Sequence, residues 1–234
     1  IQDPFLLMFT SGTTGPAKPL EVPLKALIAF GNYMKDAIGL RADDAFWNIA
    51  DPGWAYGLYY GITGPLLLGH ATLFYEGGFS IDSLCQIIDD YKINNLAGAP
   101  TAYRMMMAAD PTQMAQLKGK FRVVSSAGEP LNPEVFRWFK QVLDAPIFDH
   151  YGQTEVGMVV CNHHGLSHEV RAGAAGFASP GYRVAVVDDQ GNELPADTAG
   201  ILAVDISQSP MMWFGGYKES RKSPFIKNYY LTGD

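Results

Sequence analysis

Residues 122–143 read Arg-Val-Val-Ser-Ser-Ala-Gly-Glu-Pro-Leu-Asn-Pro-Glu-Val-Phe-Arg-Trp-Phe-Lys-Gln-Val-Leu. The run Arg122–Ser126 predicts a buried strand, and Gly128, Glu129 and Pro130 fall where that strand gives way to a helix. Asn132-Pro133-Glu134 supplies a cap, a first-turn proline and a first-turn acid, so a helix follows over about 133–143. Working outward, the same rhythm fills residues 45–150. Further strands are expected at Phe46–Ala50, Ala71–Tyr75, Asn95–Ala99 and Ile147–His150, with helices at about 56–68, 81–91 and 101–109. In the 81–91 stretch, Ile81, Leu84, Cys85, Ile88 and Tyr91 recur at helical spacing, with Ser80 placed to cap the N-terminus. Strands joined by helices imply an α/β fold with a mostly parallel sheet flanked by helices.

After about residue 175 the rhythm changes. Tyr182–Val187, the turn Asp188-Asp189-Gln190-Gly191-Asn192 and Gly200–Ile206 follow a β pattern with no helix between them. The expected division is an α/β core over 1–175 and a small β-rich subdomain over 176–234, joined through an irregular loop at 162–176. No repeat or low-complexity segment interrupts this plan.

Composition narrows the class. Hydrophobic residues are 47% and charged residues 18% of the chain, which excludes a disordered protein. The net charge of −7 with scattered basic residues leaves no electrostatic footprint for nucleic acid or an anionic membrane. No apolar run reaches the ~18–20 residues that span a bilayer. Cys85 and Cys161 are too few for a disulfide scaffold, so a reducing compartment, the cytoplasm, is expected.

Two segments carry chemistry. Residues 10–18 read Thr10-Ser11-Gly12-Thr13-Thr14-Gly15-Pro16-Ala17-Lys18, a loop of hydroxyls and glycines ending in one cation. Glycine permits the backbone angles that turn successive N–H groups inward into an anion nest, and the hydroxyls and Lys18 add donors for phosphate oxygens. The Walker phosphate loop is excluded, because it needs Gly before the lysine and Ser or Thr after it, where this chain has Ala17 and Pro19. Residues 151–155 read Tyr151-Gly152-Gln153-Thr154-Glu155: an aromatic face, an amide, a hydroxyl and a carboxylate suited to a base, a phosphate and a magnesium ion. Magnesium takes one or two protein carboxylates and fills its shell with phosphate oxygens and water.

The pair resembles the adenylate-forming enzymes, which comprise acyl-CoA synthetases, luciferases and the adenylation domains of nonribosomal peptide synthetases. Ser126-Ala127-Gly128-Glu129-Pro130-Leu131 is similar to their adenine-contacting segment, and Tyr230-Leu231-Thr232-Gly233-Asp234 to the segment whose aspartate holds the ribose hydroxyls. The resemblance covers nearly the whole chain. It implies that residues 10–18 bind the β- and γ-phosphates, that Tyr151 stacks on adenine, that Thr154 meets the α-phosphate and that Glu155 holds magnesium. Catalytic roles fall to Thr154, Glu155 and Lys18, and nucleotide binding to Thr10–Gly15, Gly128, Glu129, Pro130, Tyr151, Gln153 and Asp234. Pro16 and Ala17 are exchanged relative to the family, and Pro19 replaces a common glycine, which stiffens the loop's exit.

The same resemblance implies a two-step ligase using ATP, Mg²⁺ and coenzyme A. A carboxylate attacks the α-phosphorus to give acyl-adenylate and pyrophosphate, and the CoA thiol then displaces AMP. Asp51-Pro52-Gly53-Trp54 lies near the acyl and pantetheine pocket in similar acyl-CoA synthetases, although Trp54 serves equally well as core filler. Where enzymes similar to acetyl-CoA synthetase close the acid pocket with Trp, this chain has Gly152, which on this reading leaves room for several methylenes, each worth about 0.8 kcal/mol when buried. A short-to-medium-chain or aromatic carboxylic acid is therefore expected as the small-molecule partner. A carrier-protein-loading adenylation domain and a non-enzymatic nucleotide-binding remnant are the alternatives. The family's catalytic lysine belongs to a C-terminal domain beyond Asp234, so the chain reads as the middle of a longer enzyme and is expected to be nearly inert alone. Cys161, His163, His164 and His168 match no zinc spacing and are read as solvated loop histidines.

Overall fold

The computed structural model describes residues 1–10, 18–217 and 223–234. A hairpin of β1 (Pro4–Thr10) and β2 (Lys18–Pro23) comes first, with Thr10 opposite Lys18 at the end that residues 11–17 join. The rest of the expected phosphate loop, residues 11–17 with Ser11, Gly12, Thr13, Thr14 and Gly15, lies outside the described residues. Helix α1 (Ala26–Asp36) follows.

The large sheet has six strands: β3 (Phe46–Asn48), β4 (Asn95–Gly98), β5 (Val123–Ala127), β6 (Ile147–Gln153), β7 (Gly157–Cys161) and β8 (Phe177–Ala178), in that spatial order. The first four run parallel, and β7 and β8 add antiparallel. Helices cross between the parallel strands: α2 (Ala55–Gly57), a π-helical segment over Leu58–Thr63 and α3 (Gly64–Leu67) in direct succession, then α4 (Ile81–Asp90), α5 (Pro100–Met107), α6 (Pro111–Ala115) and α7 (Pro133–Trp138). A second sheet holds β9 (Val184–Val187), β10 (Ile201–Asp205), β11 (Phe225–Ile226) and β12 (Tyr229–Leu231), in the order β11-β12-β10-β9.

The local signals explain these elements. The Ser80 hydroxyl accepts the Ser83 N–H at 3.1 Å, and the Asn132 side chain accepts the Glu134 N–H at 2.9 Å, so each cap satisfies a donor that the helix leaves unpaired. Leu84, Cys85, Ile87 and Ile88 form the buried face of α4. The expected strand Ala71–Tyr75 is irregular instead. Strand β3 is the edge of the sheet and β4 its one neighbour. A segment without a partner ladder has nowhere to send its backbone hydrogen bonds, and Phe74 and Tyr75 stay exposed.

Alternation along the central strands sends side chains to two cores. Leu96 and Val124 face the helices α4, α5 and α7, while Ala97 and Ala127 face α1, the π-helical Tyr59 and Tyr60, and the small sheet's Val204 and Tyr230. Gly57 marks a close approach: a Cβ there would lie 2.3 Å from the Asp51 carbonyl oxygen, so only glycine lets the helix start against the exit of β3.

One buried ion pair ties the layers together. The Asp44 side chain is fully buried; Arg122 Nε donates to its Oδ1 at 2.7 Å, while Asn95 Nδ2 and the Arg41 N–H donate to Oδ2, each at 2.9 Å. Arg122 also donates to the Gly39 carbonyl at 2.8 Å. Removing one partner of such a pair leaves a buried charge uncompensated. Arg122→Ala should therefore destabilise the fold by about 3–5 kcal/mol in denaturant unfolding, whereas Asp44→Asn combined with Arg122→Met should recover much of that loss.

Candidate active site

Open α/β sheets bind ligands beyond the carboxyl ends of their parallel strands. Here those ends open onto a cleft of about 680 Å³. Asp51 and Trp54 enter it after β3, Ala99 and Thr101 after β4, Gly128 and Glu129 after β5, and Gly152, Gln153 and Thr154 from the end of β6. Tyr56, Tyr60, Met105 and Met158 add apolar surface to its lining. Trp54 is 69% exposed, which excludes the core-filler role. Gly128 has φ +97° with no atom within 4 Å of where a Cβ would be, so its backbone faces open space. Pro130 closes that turn. The Glu129 carboxylate is held by Arg104 at 2.7 Å and Thr101 at 2.9 Å, and these contacts lower its titration.

The C-terminal motif meets the 151–155 motif directly. Tyr151 Oη donates to Asp234 Oδ2 at 2.5 Å, and Gln153 Nε2 donates to the same oxygen and to the Thr232 carbonyl, each at 3.0 Å. Tyr230 Oη donates to Gln153 Oε1 at 2.8 Å. Burial and the Asp234 carboxylate raise the Tyr151 phenol above its ordinary range, so it stays a donor.

Thr154, Glu155 and Val156 form the tip between β6 and β7, whose last paired residues are Gln153 and Gly157. Tyr59 Oη donates to the Thr154 carbonyl at 3.1 Å. Glu155 is only 9% exposed and accepts the Tyr217 hydroxyl on Oε1. Thr10 also reaches that hydroxyl. The Lys18 ammonium stands 4.9 Å from the Tyr217 ring centroid, within cation–π range. Both ends of the 10–18 loop thus converge on Glu155 through one aromatic ring.

Two expectations need correcting. Gly152 does not leave space for a longer acid: a Cβ there would lie 2.2 Å from the Gly157 carbonyl oxygen and 2.7 Å from Met158 Cα. Its missing side chain points at the neighbouring strand, beside the bulge between Tyr151 and Gly152, and the residue lines the cleft with backbone. Two of the loop histidines, His163 and His164, are not solvated. His163 is 3% exposed, and His164 stacks on Phe148 at 4.0 Å while its Nε2 lies 2.9 Å from the Val124 carbonyl. His168 Nε2 accepts the His163 N–H at 2.7 Å. Burial lowers the pKa of His163 to about 4 and that of His164 to about 3, so both are neutral packing groups. Among the described residues no cluster of three or more His, Cys, Asp or Glu could hold a metal.

Sequence reasoning missed Asp149 and Tyr217. The strand period places Asp149, Tyr151 and Gln153 on one face of β6, and that signal was available. Asp149 Oδ2 accepts the Leu131 N–H at 3.2 Å, which ties the Gly128–Leu131 turn to β6, while its buried Oδ1 has no partner. Burial raises its pKa to about 6. Tyr217 carried no signal, because Glu155 and Lys18, the site groups it meets, are more than sixty residues away in the chain.

The chain belongs to the AMP-binding enzyme family, which matches residues 1–213. It is 37% identical over its whole length to the acetyl-coenzyme A synthetase of Bacillus subtilis and 32% identical to the mitochondrial acyl-coenzyme A synthetase ACSM4 of Rattus norvegicus. It spans 41% and 40% of those proteins respectively. A crystal structure of a Brucella canis acyl-CoA synthetase superposes with a TM-score of 0.96 at 59% identity, covering all of this chain and 43% of that one. The anthranilate CoA ligase AuaEII, at 24% identity, shares the fold with a TM-score of 0.85 over 97% of this chain and 44% of its own.

Two measurements probe this geometry. Because the folded-state pKa of Asp149 lies above its ordinary value of 3.8, its charged form costs stability above about pH 6 and nothing once the carboxyl is protonated near pH 4. Asp149→Asn keeps an acceptor for Leu131 and should stabilise the protein by roughly 1–2 kcal/mol at pH 7.5, a gain that fades between pH 6 and pH 4 in thermal melts. Gly152→Ala should cost about 1–3 kcal/mol through overpacking against β7, read as a lowered Tm.

Proposed function

We propose that this chain is the nucleotide-binding core of an AMP-forming acid–CoA ligase acting on a short-to-medium-chain or aromatic carboxylic acid. The observation that carries the reading is the meeting of Lys18 and Glu155 around Tyr217 beside the strand-end cleft. A phosphate-binding cation and a metal-binding carboxylate brought together from distant parts of the sequence suit the triphosphate of ATP. The similarity to acetyl- and acyl-coenzyme A synthetases supports a thiol acceptor of that kind.

The acid's carboxylate oxygen attacks the α-phosphorus, the bond to pyrophosphate breaks, and acyl-AMP forms. The CoA sulfur then attacks the acyl carbon, the carbon–oxygen bond breaks and AMP departs, with the thiol proton lost to solvent. In this reading Gly128–Pro130 and Tyr151 flank the base, Asp234 takes the ribose hydroxyls, and Thr154 meets the α-phosphate. A single buried carboxylate, Glu155, matches the sparse protein ligation of magnesium, whose charge stabilises the transferring phosphoryl oxygens when bound. The protein's own contribution is positioning and fixed charge. Tyr56, Tyr60, Met105 and Met158 would receive the acyl group, and this apolar surface, not Gly152, supports an acid longer than acetate.

Acid-dependent pyrophosphate exchange on the full-length protein, followed by thioester formation with free CoA, tests the reading. Exchange should peak with butyrate to octanoate or with benzoate-like acids, and the thioester should follow. Preference for acetate would overturn the acid assignment, and exchange without thioester would indicate a carrier-protein acceptor. Glu155→Gln should lower acyl-adenylate formation by orders of magnitude and leave thioester formation from pre-made acyl-adenylate nearly intact, because pyrophosphate has already left.

A further inference from the structure

The phenols of Tyr59, Tyr151, Tyr217 and Tyr230 all feel the Glu155 carboxylate, and Tyr151 already donates to Asp234. An ordinary phenol is protonated at neutral pH, so each is a donor. Their protons are already distributed. Tyr59 donates to the Thr154 carbonyl and Tyr230 to Gln153 Oε1, which leaves Tyr217 for the carboxylate. The ring that carries this hydroxyl also faces the Lys18 ammonium at 4.9 Å, and Thr10, paired opposite Lys18 on the neighbouring strand, reaches the same hydroxyl.

The geometry points to Tyr217 as a positioning residue for the metal and the triphosphate: its hydroxyl pins Oε1 of Glu155 and its ring face holds Lys18. This rests on the reading of Glu155 as the magnesium carboxylate. A free glutamate rotates about three torsions, and pinning one oxygen presents the other, Oε2, in one direction. Partners that orient a ligating carboxylate typically carry about 10–100-fold of metal affinity. The ring gives Lys18 a fixed electron-rich surface that preplaces the cation for phosphate. One side chain therefore couples the phosphate-binding hairpin β1–β2 to the β6–β7 tip.

The test measures Mn²⁺ binding by the loss of the free-ion electron paramagnetic resonance signal, on the full-length protein with a non-hydrolysable α,β-methylene ATP analogue. Tyr217→Phe keeps the ring and loses the donor; Mn²⁺ affinity should fall about tenfold, while affinity for the analogue in EDTA stays unchanged. Tyr217→Leu removes both; Mn²⁺ affinity should fall similarly, and metal-free analogue binding should weaken several-fold as well. In pyrophosphate exchange, Tyr217→Phe should raise the KM for MgATP and leave the KM for the acid alone. Glu155→Gln separates the two readings. If it leaves Mn²⁺ affinity intact, Glu155 is not the ligand and the proposed function loses its metal site. If it weakens Mn²⁺ binding and Tyr217→Phe does not, Tyr217 has no positioning role. A Tyr217→Phe protein that melts well below the native one, or that loses acid and nucleotide binding alike, shows a structural role and also overturns the inference.

Discussion

The reversal of the chain at Thr154–Val156 is the constraint on which the site depends. Strand β6 extends the parallel set and brings Tyr151 and Gln153 to its carboxyl end, and the return of β7 beside it fixes where Glu155 can stand. Gly152 makes the return possible, since any side chain there would collide with the carbonyl of Gly157. A loose loop in place of this hairpin would leave Glu155 in solvent. The tight tip instead buries it, and its hydrogen bond to Tyr217 is shielded from water.

The rest of the fold serves to hold that tip against distant parts of the chain. Tyr59 comes from a π-helical segment, a geometry often found at functional sites, and reaches the Thr154 carbonyl. Trp213 and Phe214 pack with Phe30, Tyr59 and Tyr230 in one apolar cluster, so the small sheet and the large sheet share a core. Asp234, at the end of that small sheet, is thereby held within reach of Tyr151. Side-chain order in the cleft follows from this shared packing, because each polar contact joins elements whose apolar faces are already docked.

Much of the fold was legible in the chain alone. Helices α4 and α7 announced themselves through Ser80 and Asn132, because capping is a contact between neighbours in sequence. The parallel strands were legible as short apolar runs between helices, and the site motifs as compact sets of residue types. Ala71–Tyr75 was misread for a physical reason: a strand exists only where a partner strand accepts its hydrogen bonds, and composition does not reveal whether that partner is present. The loop histidines misled in the same way, since a polar, irregular segment gave no sign that His163 and His164 would pack inside.

The sequence by itself determined which hydroxyls, carboxylates and aromatic groups the two motifs offer, and that they ride on an α/β sheet, because hydroxyls, glycines, caps and periodicity are local properties. Only the tertiary structure decided what each group faces. That the Gly152 vacancy points at β7 and not at an acid, that Asp149 ties the Gly128–Leu131 turn, and that Tyr217 joins Lys18 to Glu155 all depend on contacts between residues far apart in the chain. Such contacts are set by the packing of the two cores, and no short stretch of sequence encodes them.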